Sequence, residues 1–276
     1  MRSVLCATLV CLLGLPAAPA AAQPASRGEE LELHWVVDPA IIVLAGAGWI
    51  GTELTKENLA PTTCQWCERN SVDDGVRNAL RWGNVKAAST TSDLVTYGVL
   101  PVLTLAGGIV AGAADGRIGE TPTNALLVVE AVALSSMLNQ VVKFSVGRER
   151  PFVAALPESE KSKTAKPDDN NLSFYSGHTT LAFSLVVSAG TIAQLRGYRA
   201  APYIWGIGLP LAAFAAYSRI AADKHYLSDV LLGAAAGSAA GFLVPFLHRK
   251  TTVVMDSGAS VTFTPTGNGL AVGGTF

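Results

Sequence analysis

Residues 123–151 read TNALLVVEAVALSSMLNQVVKFSVGRERP. The portion 123–146 is mostly apolar and has the length that crosses a bilayer, about 17–25 residues. It stops in a cationic knot, Gly147-Arg148-Glu149-Arg150-Pro151. Such a helix is a membrane span. Glu130, Asn139 and Gln140 lie inside it, and polar groups at that depth face a bundle interior or a wet cavity. Glu130 therefore either pairs structurally with another helix or serves a function. Working outward, further spans are read at 92–114, 178–195, 201–217 and 227–247. The run 39–52, between Asp38 and Glu53, has only 14 residues and is read as a short, interfacial or re-entrant helix. In the last span Gly233, Gly237 and Gly241 recur every fourth residue, which presents one smooth face for close helix packing. The tail 251–276 alternates apolar and polar residues and predicts a small hairpin. The fold class is all-α, a multi-span transmembrane helical bundle with a short β-like C-terminal tail.

Composition agrees. Of 276 residues, 50% are hydrophobic and 15% charged, against roughly 25% charged in soluble domains, and mean hydropathy is +0.36. Disorder requires the opposite balance. With 20 Lys+Arg against 21 Asp+Glu there is no basic excess to neutralise phosphates, so no nucleic-acid partner is expected. The sequence divides into 1–22, 23–91 with a short apolar helix and a polar segment, a membrane-embedded domain at 92–250, and the tail 251–276.

Residues 1–22 read as a secretory signal: Arg2, an apolar stretch from Val4 to Leu15, and Ala20-Ala21-Ala22 before Gln23. An uncleaved first span is the alternative. Cys6 and Cys11 fall within it, leaving Cys64 and Cys67 as C-Q-W-C. No second pair exists, and no histidine stands at zinc-finger spacing. A local disulfide is the plainest reading in an exported chain.

Three polar clusters sit at span ends. KFSVGRERP, 143–151, supplies Lys143, Arg148 and Arg150; YSGHT, 175–179, opens the next span; SRIAADKHYLSD, 218–229, joins the last two. Two spans separate the 143–177 and 218–226 junctions, so in a six-helix bundle they share a side. Lys143, Arg150 and Arg219 are cations at the edge of a low-dielectric body and call for an anion. Arginine forks suit phosphate oxygens. Ser176 and Gly177 precede a helix whose free N–H groups form an anion site. His225 and Asp229, four apart, share a helix face; the carboxylate can hold one imidazole nitrogen and leave the other free to attack. His178 remains as proton donor. This chemistry requires no metal. Arg148 alone reads as a positive-inside anchor, Asp223 and Lys224 as a solvated turn, and Arg219 and Lys143 could also snorkel.

At these residues the sequence resembles the type 2 phosphatidic acid phosphatase family, of the acid phosphatase and vanadium haloperoxidase superfamily. The family pattern is Lys-x6-Arg-Pro, Pro-Ser-Gly-His and Ser-Arg-x5-His-x3-Asp. Lys143, Arg150 and Pro151 meet the first; Ser176, Gly177 and His178 meet the second, with Tyr175 in place of proline; Ser218, Arg219, His225 and Asp229 meet the third. The resemblance covers roughly 120–247. It implies the superfamily's helical phosphatase core in 92–250 and a metal-independent, cofactor-free phosphohydrolase. His225 would attack phosphorus, Asp229 orient it, and His178 protonate the leaving group. Lys143, Arg150, Arg219, Ser176 and the Gly177 N–H would hold phosphoryl oxygens.

A pocket at the membrane surface favours a lipid phosphate substrate: phosphatidate, phosphatidylglycerol phosphate, a polyprenyl diphosphate or a lipid A phosphate. The loop 152–173 either caps the site or is a linker. Sidedness depends on 36–52. If the signal is cut and this run spans, the site is cytoplasmic. If it does not span, the site faces the periplasm from a bacterial inner membrane, with Arg117, Arg196, Arg199, Arg249 and Lys250 inside. Lysines in the 54–91 and 152–173 loops argue the other way. The outward arrangement is expected, on the shortness of 39–52, the cysteine pair and the family's usual orientation. A vanadate-dependent haloperoxidase and a non-catalytic membrane scaffold are the rival classes; oligomeric state is open.

Overall fold

The computed structural model describes residues 28–254, 260–266 and 269–275; the signal reading of 1–22 lies outside them. Six helices are long and apolar enough to cross a membrane: Val37–Leu54, Val85–Ala114, Ile118–Val146, Gly177–Arg196, Ala201–Ala221 and Leu227–Leu247. The chain is a multi-pass, helical membrane protein. Gly177–Arg196 is its hub, with 78% of its apolar window buried against 11% for the peripheral Val37–Leu54. The hub carries buried hydroxyls, some of them satisfied within the helix. Thr180 Oγ1 donates to Ser176 O at 2.9 Å and Ser188 Oγ to Leu185 O at 3.1 Å, which lowers the cost of burying them, while Ser184 Oγ and Thr191 Oγ1 are buried without a partner among the described residues.

The glycine face of Leu227–Leu247 lies directly on this hub. A Cβ on Gly233 would stand 2.7 Å from Ser176 O, one on Gly241 2.8 Å from Ser188 N, and one on Gly237 would collide with Thr180 O. These contacts are with backbone, which cannot rotate away. Gly237→Ala is expected to destabilise the protein by about 1–3 kcal/mol, read as a lower Tm in detergent. Gly107→Ala, whose Cβ lies in the body of a helix and meets nothing within 4 Å, should not lower Tm.

Two expectations are corrected. The run expected to be short is a helix of 18 residues, Val37–Leu54, about 27 Å long at 1.5 Å per residue. Its polar ends extend it beyond the apolar count: Asp38 lies beside His248 at one end of the bundle, and Glu53 accepts from Gln140 Nε2 at 3.0 Å at the other. The polar stretch expected to end at 91 instead enters the next span at Val85. Asn84 caps that helix by accepting from Ala87 N, and Ala88 and Ser92 are buried against Ala201–Ala221, with Ser92 Oγ 3.4 Å from Ala215 O. A five-residue π turn, Val95–Val99, carries it on to Ala114.

The tail forms a three-stranded antiparallel meander, Thr251–Val254, Ser260–Thr266 and Gly269–Thr275, rather than one hairpin, with Phe263 in register with both Thr251 and Val272. Beside it, residues 28–34 are strapped to the bundle end by Glu29 N to Leu195 O, Glu32 N to His248 O and Lys250 N to Glu30 O. Arg117, Arg196, Arg199, Arg249 and Lys250 all lie at this end, each ion-paired, for example Arg117 to Glu120 at 2.7 Å and Lys250 to Glu32 at 2.7 Å.

Candidate active site

The opposite end of the bundle holds a cavity of about 610 Å³. Local sequence dictates who reaches it. Gly147, at φ 56°, terminates the Thr121–Val146 helix in the left-handed region where glycine is unstrained, and the chain turns out through Arg148 to Arg150. Lys143, one turn earlier, faces the cavity. Ser176 caps Gly177–Arg196, its hydroxyl accepting from Thr179 N and Thr179 Oγ1. Arg219 ends one helix, and Asp229 stands in the first turn of the next.

Lys143, Arg150, Gly177, His178, Arg219 and His225 line the cavity together. Ser176 is fully buried behind it, and Asp229 behind His225. Lys143 makes no hydrogen bond or ion pair among the described residues, and Arg219 Nε is buried without a partner. Arg150 is held by Asp169 O and Oδ1, both at 2.8 Å, and places Nη1 3.4 Å from His225 Nε2. Burial disfavours the Asp169 carboxylate, yet Arg150, Lys56 and Lys143 around it hold its pKa well below the usual range. A Cβ on Gly177 would meet Asn139 Oδ1 at 2.9 Å and Lys143 Nζ at 3.2 Å, so only glycine leaves this corner open to an anion.

His225 is 1% exposed. Its Nδ1 lies 2.8 Å from the Ser173 carbonyl, which can only accept, so Nδ1 carries the hydrogen and Nε2 turns a lone pair to the cavity. Burial first, then Arg150, Arg219 and Lys143, hold its pKa well below 6.5, which favours the neutral imidazole. The expected direct contact from Asp229 is replaced. Asp229 Oδ2 lies 3.7 Å from Nδ1, too far for a hydrogen bond. It accepts instead from Ser173 Oγ at 2.6 Å and Tyr226 N at 2.9 Å, fixing the residue whose carbonyl holds the imidazole.

Two further readings are corrected. Arg148 is no positive-inside anchor: it is 1% exposed, pairs with both Asp73 and Asp229, and lies between the Trp66 and Tyr226 rings at 4.3 and 4.2 Å. Nor are Asp223 and Lys224 a solvated turn. Asp223 is buried, pairs with Arg77 and Arg81, and takes φ 61°; Lys224 lines the cavity with Nζ over the Phe152 ring.

Sequence reasoning missed Asp93, whose Oδ1 lies 2.7 Å from His178 Nε2 and 3.4 Å from Arg219 Nη1. It is a lone carboxylate with no motif around it. Asn139, noticed only as a polar residue in a span, donates to Tyr175 O at 2.7 Å and so fixes the turn in which tyrosine replaces proline. Cys64 and Cys67 are bonded, with Cα atoms 5.6 Å apart. Their loop borders the site: Gln65 N donates to Gly147 O, Glu149 N to Trp66 O. The 152–173 segment folds into short turns that bring Lys166, Asp169 and Leu172 to the cavity.

Fold and site thus define a polytopic membrane protein with a histidine-bearing, cation-lined cavity at one end of its bundle. Residues 124–252 match the PAP2 superfamily. It is 29% identical to phospholipid phosphatase 1 of Rattus norvegicus, over 40% of this chain and 46% of the relative. It is 26% identical to phospholipid phosphatase 2 of Bos taurus, over 38% of this chain and 44% of the relative. The chain thus spans about half the length of these relatives. The crystal structure of a transmembrane PAP2 type phosphatidylglycerolphosphate phosphatase from Bacillus subtilis is similar at 18% identity and TM-score 0.46, covering 75% of this chain and 93% of that one.

Proposed function

We propose that the protein is a membrane phosphatase of lipid phosphate monoesters or diphosphates, working through a phosphohistidine. The observation that carries this reading is the neutral His225, its Nε2 turned into a cavity lined by Lys143, Arg150 and Arg219. The cations bind the phosphoryl oxygens, which neutralises charges otherwise costly at a buried site. His225 Nε2 attacks phosphorus while the P–O bond to the lipid breaks, and His178 gives the departing oxygen its proton. Water then attacks the phosphohistidine, losing a proton to His178, and phosphate leaves with the P–N bond broken. Asp93 orients His178, and Asp229 positions His225 through Ser173. Trp49, Ile50, Leu54, Tyr97 and Leu181 line the cavity beside the cations, which suits an amphiphile whose phosphate enters first. A phosphate-release panel over lipid monoesters and diphosphates tests the reading. Release from at least one class supports it; none from any, with folded protein, overturns it.

The cavity end is assigned to the periplasm of a bacterial inner membrane. In its support, the bonded Cys64–Cys67 pair lies at this end and disulfides persist in oxidising compartments; the five cations of the opposite end then lie inside. With Val37–Leu54 crossing, this orientation puts residue 28 in the cytoplasm and excludes a signal cleaved after Ala22. An impermeant thiol reagent, applied to intact cells after reduction, is expected to label Cys64 and Cys67. Labelling only after lysis would overturn the orientation.

A further inference from the structure

Far from the cavity, Asp38, Glu130 and His248 converge from three helices or their ends, with one ligand atom of each within 4.8 Å of the others. Asp38 opens Val37–Leu54, His248 closes Leu227–Leu247, and Glu130 lies in the body of Thr121–Val146. Thirteen residues of helix separate Glu130 from Lys143, about 20 Å at 1.5 Å per residue. Glu130 is 3% exposed, and its buried Oε2 has no hydrogen-bond partner among the described residues. It points at His248 Nε2, 3.8 Å away, while Asp38 Oδ2 stands 3.3 Å from the same nitrogen. His248 Nδ1 lies 2.7 Å from the Val244 carbonyl. It therefore carries a hydrogen, and Nε2 faces the two carboxylates. Asp38 Oδ2 also accepts from His34 N at 2.6 Å, so the unsatisfied group at the centre is Glu130 Oε2.

A divalent cation resolves this arrangement. A histidine whose second nitrogen donates to a backbone carbonyl is oriented as metal-ligating histidines are. Tetrahedral ligands at about 2.0–2.1 Å from zinc stand roughly 3.3–3.4 Å apart; the Asp38 spacing from Nε2 matches at 3.3 Å, and the Glu130 spacing of 3.8 Å closes to it by a small side-chain shift. We infer that Asp38, Glu130 and His248 form a binding site for a zinc-class divalent cation that ties the first and last spanning helices to the middle of a third. The inference is independent of the phosphatase reading. The residues strapped across this end, 28–34 and 248–250, share hydrogen bonds with the same two helix termini, so the ion would lock the first and last spanning helices together at this end.

Zinc chloride is titrated into the chelator-treated, desalted, full-length protein in detergent, with calorimetry and Tm as readouts. One saturable equivalent per chain and a raised Tm are expected. Glu130→Gln and, separately, His248→Gln should each weaken binding at least about tenfold and remove the Tm rise. Asp38→Asn serves if either variant fails to fold. Absence of a saturable equivalent overturns the inference. So does zinc binding that all folded variants retain unchanged, which would place the ion elsewhere, for instance on His178 and His225, or mean that a proton on His248 alone bridges the carboxylates.

Discussion

A His225→Ala variant is expected to release phosphate from lipid phosphates on the order of 10⁴–10⁶-fold more slowly than the parent, as removal of a lone nucleophile does elsewhere. That corresponds to roughly 5–8 kcal/mol of lost transition-state stabilisation at 1.36 kcal/mol per tenfold. The size follows from role. The cationic lining would still bind the phosphoryl group, so substrate affinity should change far less than kcat. Folding should survive, because the lost side chain borders a cavity and its principal bond is to the Ser173 carbonyl. The sign of the pH dependence follows from the same geometry. The folded-state pKa of His225 lies well below its ordinary 6.5, so the nucleophile stays unprotonated as pH falls through 6.5, and its own acid limb in kcat/KM belongs below that pH. Stability moves the other way. Between pH 6.5 and the lowered value the unfolded chain takes a proton that the folded one refuses, so this residue's contribution is lost as pH falls across that window. Phosphate-release assays and Tm measured from pH 7.5 downward check both.

Arg148→Met should be the most damaging substitution for folding. The guanidinium neutralises Asp73 and Asp229, which are 2% and 0% exposed. Methionine approximates the stem but leaves two buried carboxylates without a cation. Removing one partner of a buried ionic cluster typically destabilises by about 3–5 kcal/mol, on the order of 10 °C in Tm for a chain of this size. Arg148→Lys should not rescue it, since a single ammonium cannot bridge both carboxylates while stacking between Trp66 and Tyr226. Activity should fall in parallel, because Asp229 fixes Ser173, whose carbonyl holds His225. Wild-type Tm in the Arg148→Met variant would refute the arrangement.

How much was legible in the sequence divides along physical lines. Lys143, Arg150, His178, Arg219 and His225 could be found because chemistry-bearing types are rare in a chain this apolar and stood at span ends with fixed spacings. The glycines at 233, 237 and 241 were legible for the same reason: only close backbone approach requires them in register. Ser173 was not, since it acts through a backbone carbonyl that any residue has. Arg148 was misread because its partner Asp73 is 75 residues away, in a polar stretch whose helix Ser71–Leu80 carries no chemical signature. Val37–Leu54 was undercounted because Asp38 and Glu53 read as boundaries; each has a partner at its end of the bundle, so the helix runs through them.

The central claim is that phosphorus is bonded covalently to His225 before water reaches it. The most direct measurement is the stereochemical course at phosphorus, using a lipid phosphorothioate made chiral with two oxygen isotopes and hydrolysed in water carrying the third, so that the released thiophosphate is itself chiral. Two successive in-line displacements, the first by His225 Nε2 and the second by water, give net retention. Inversion would mean that water attacks the lipid phosphate directly, and the nucleophilic role of His225 would be wrong.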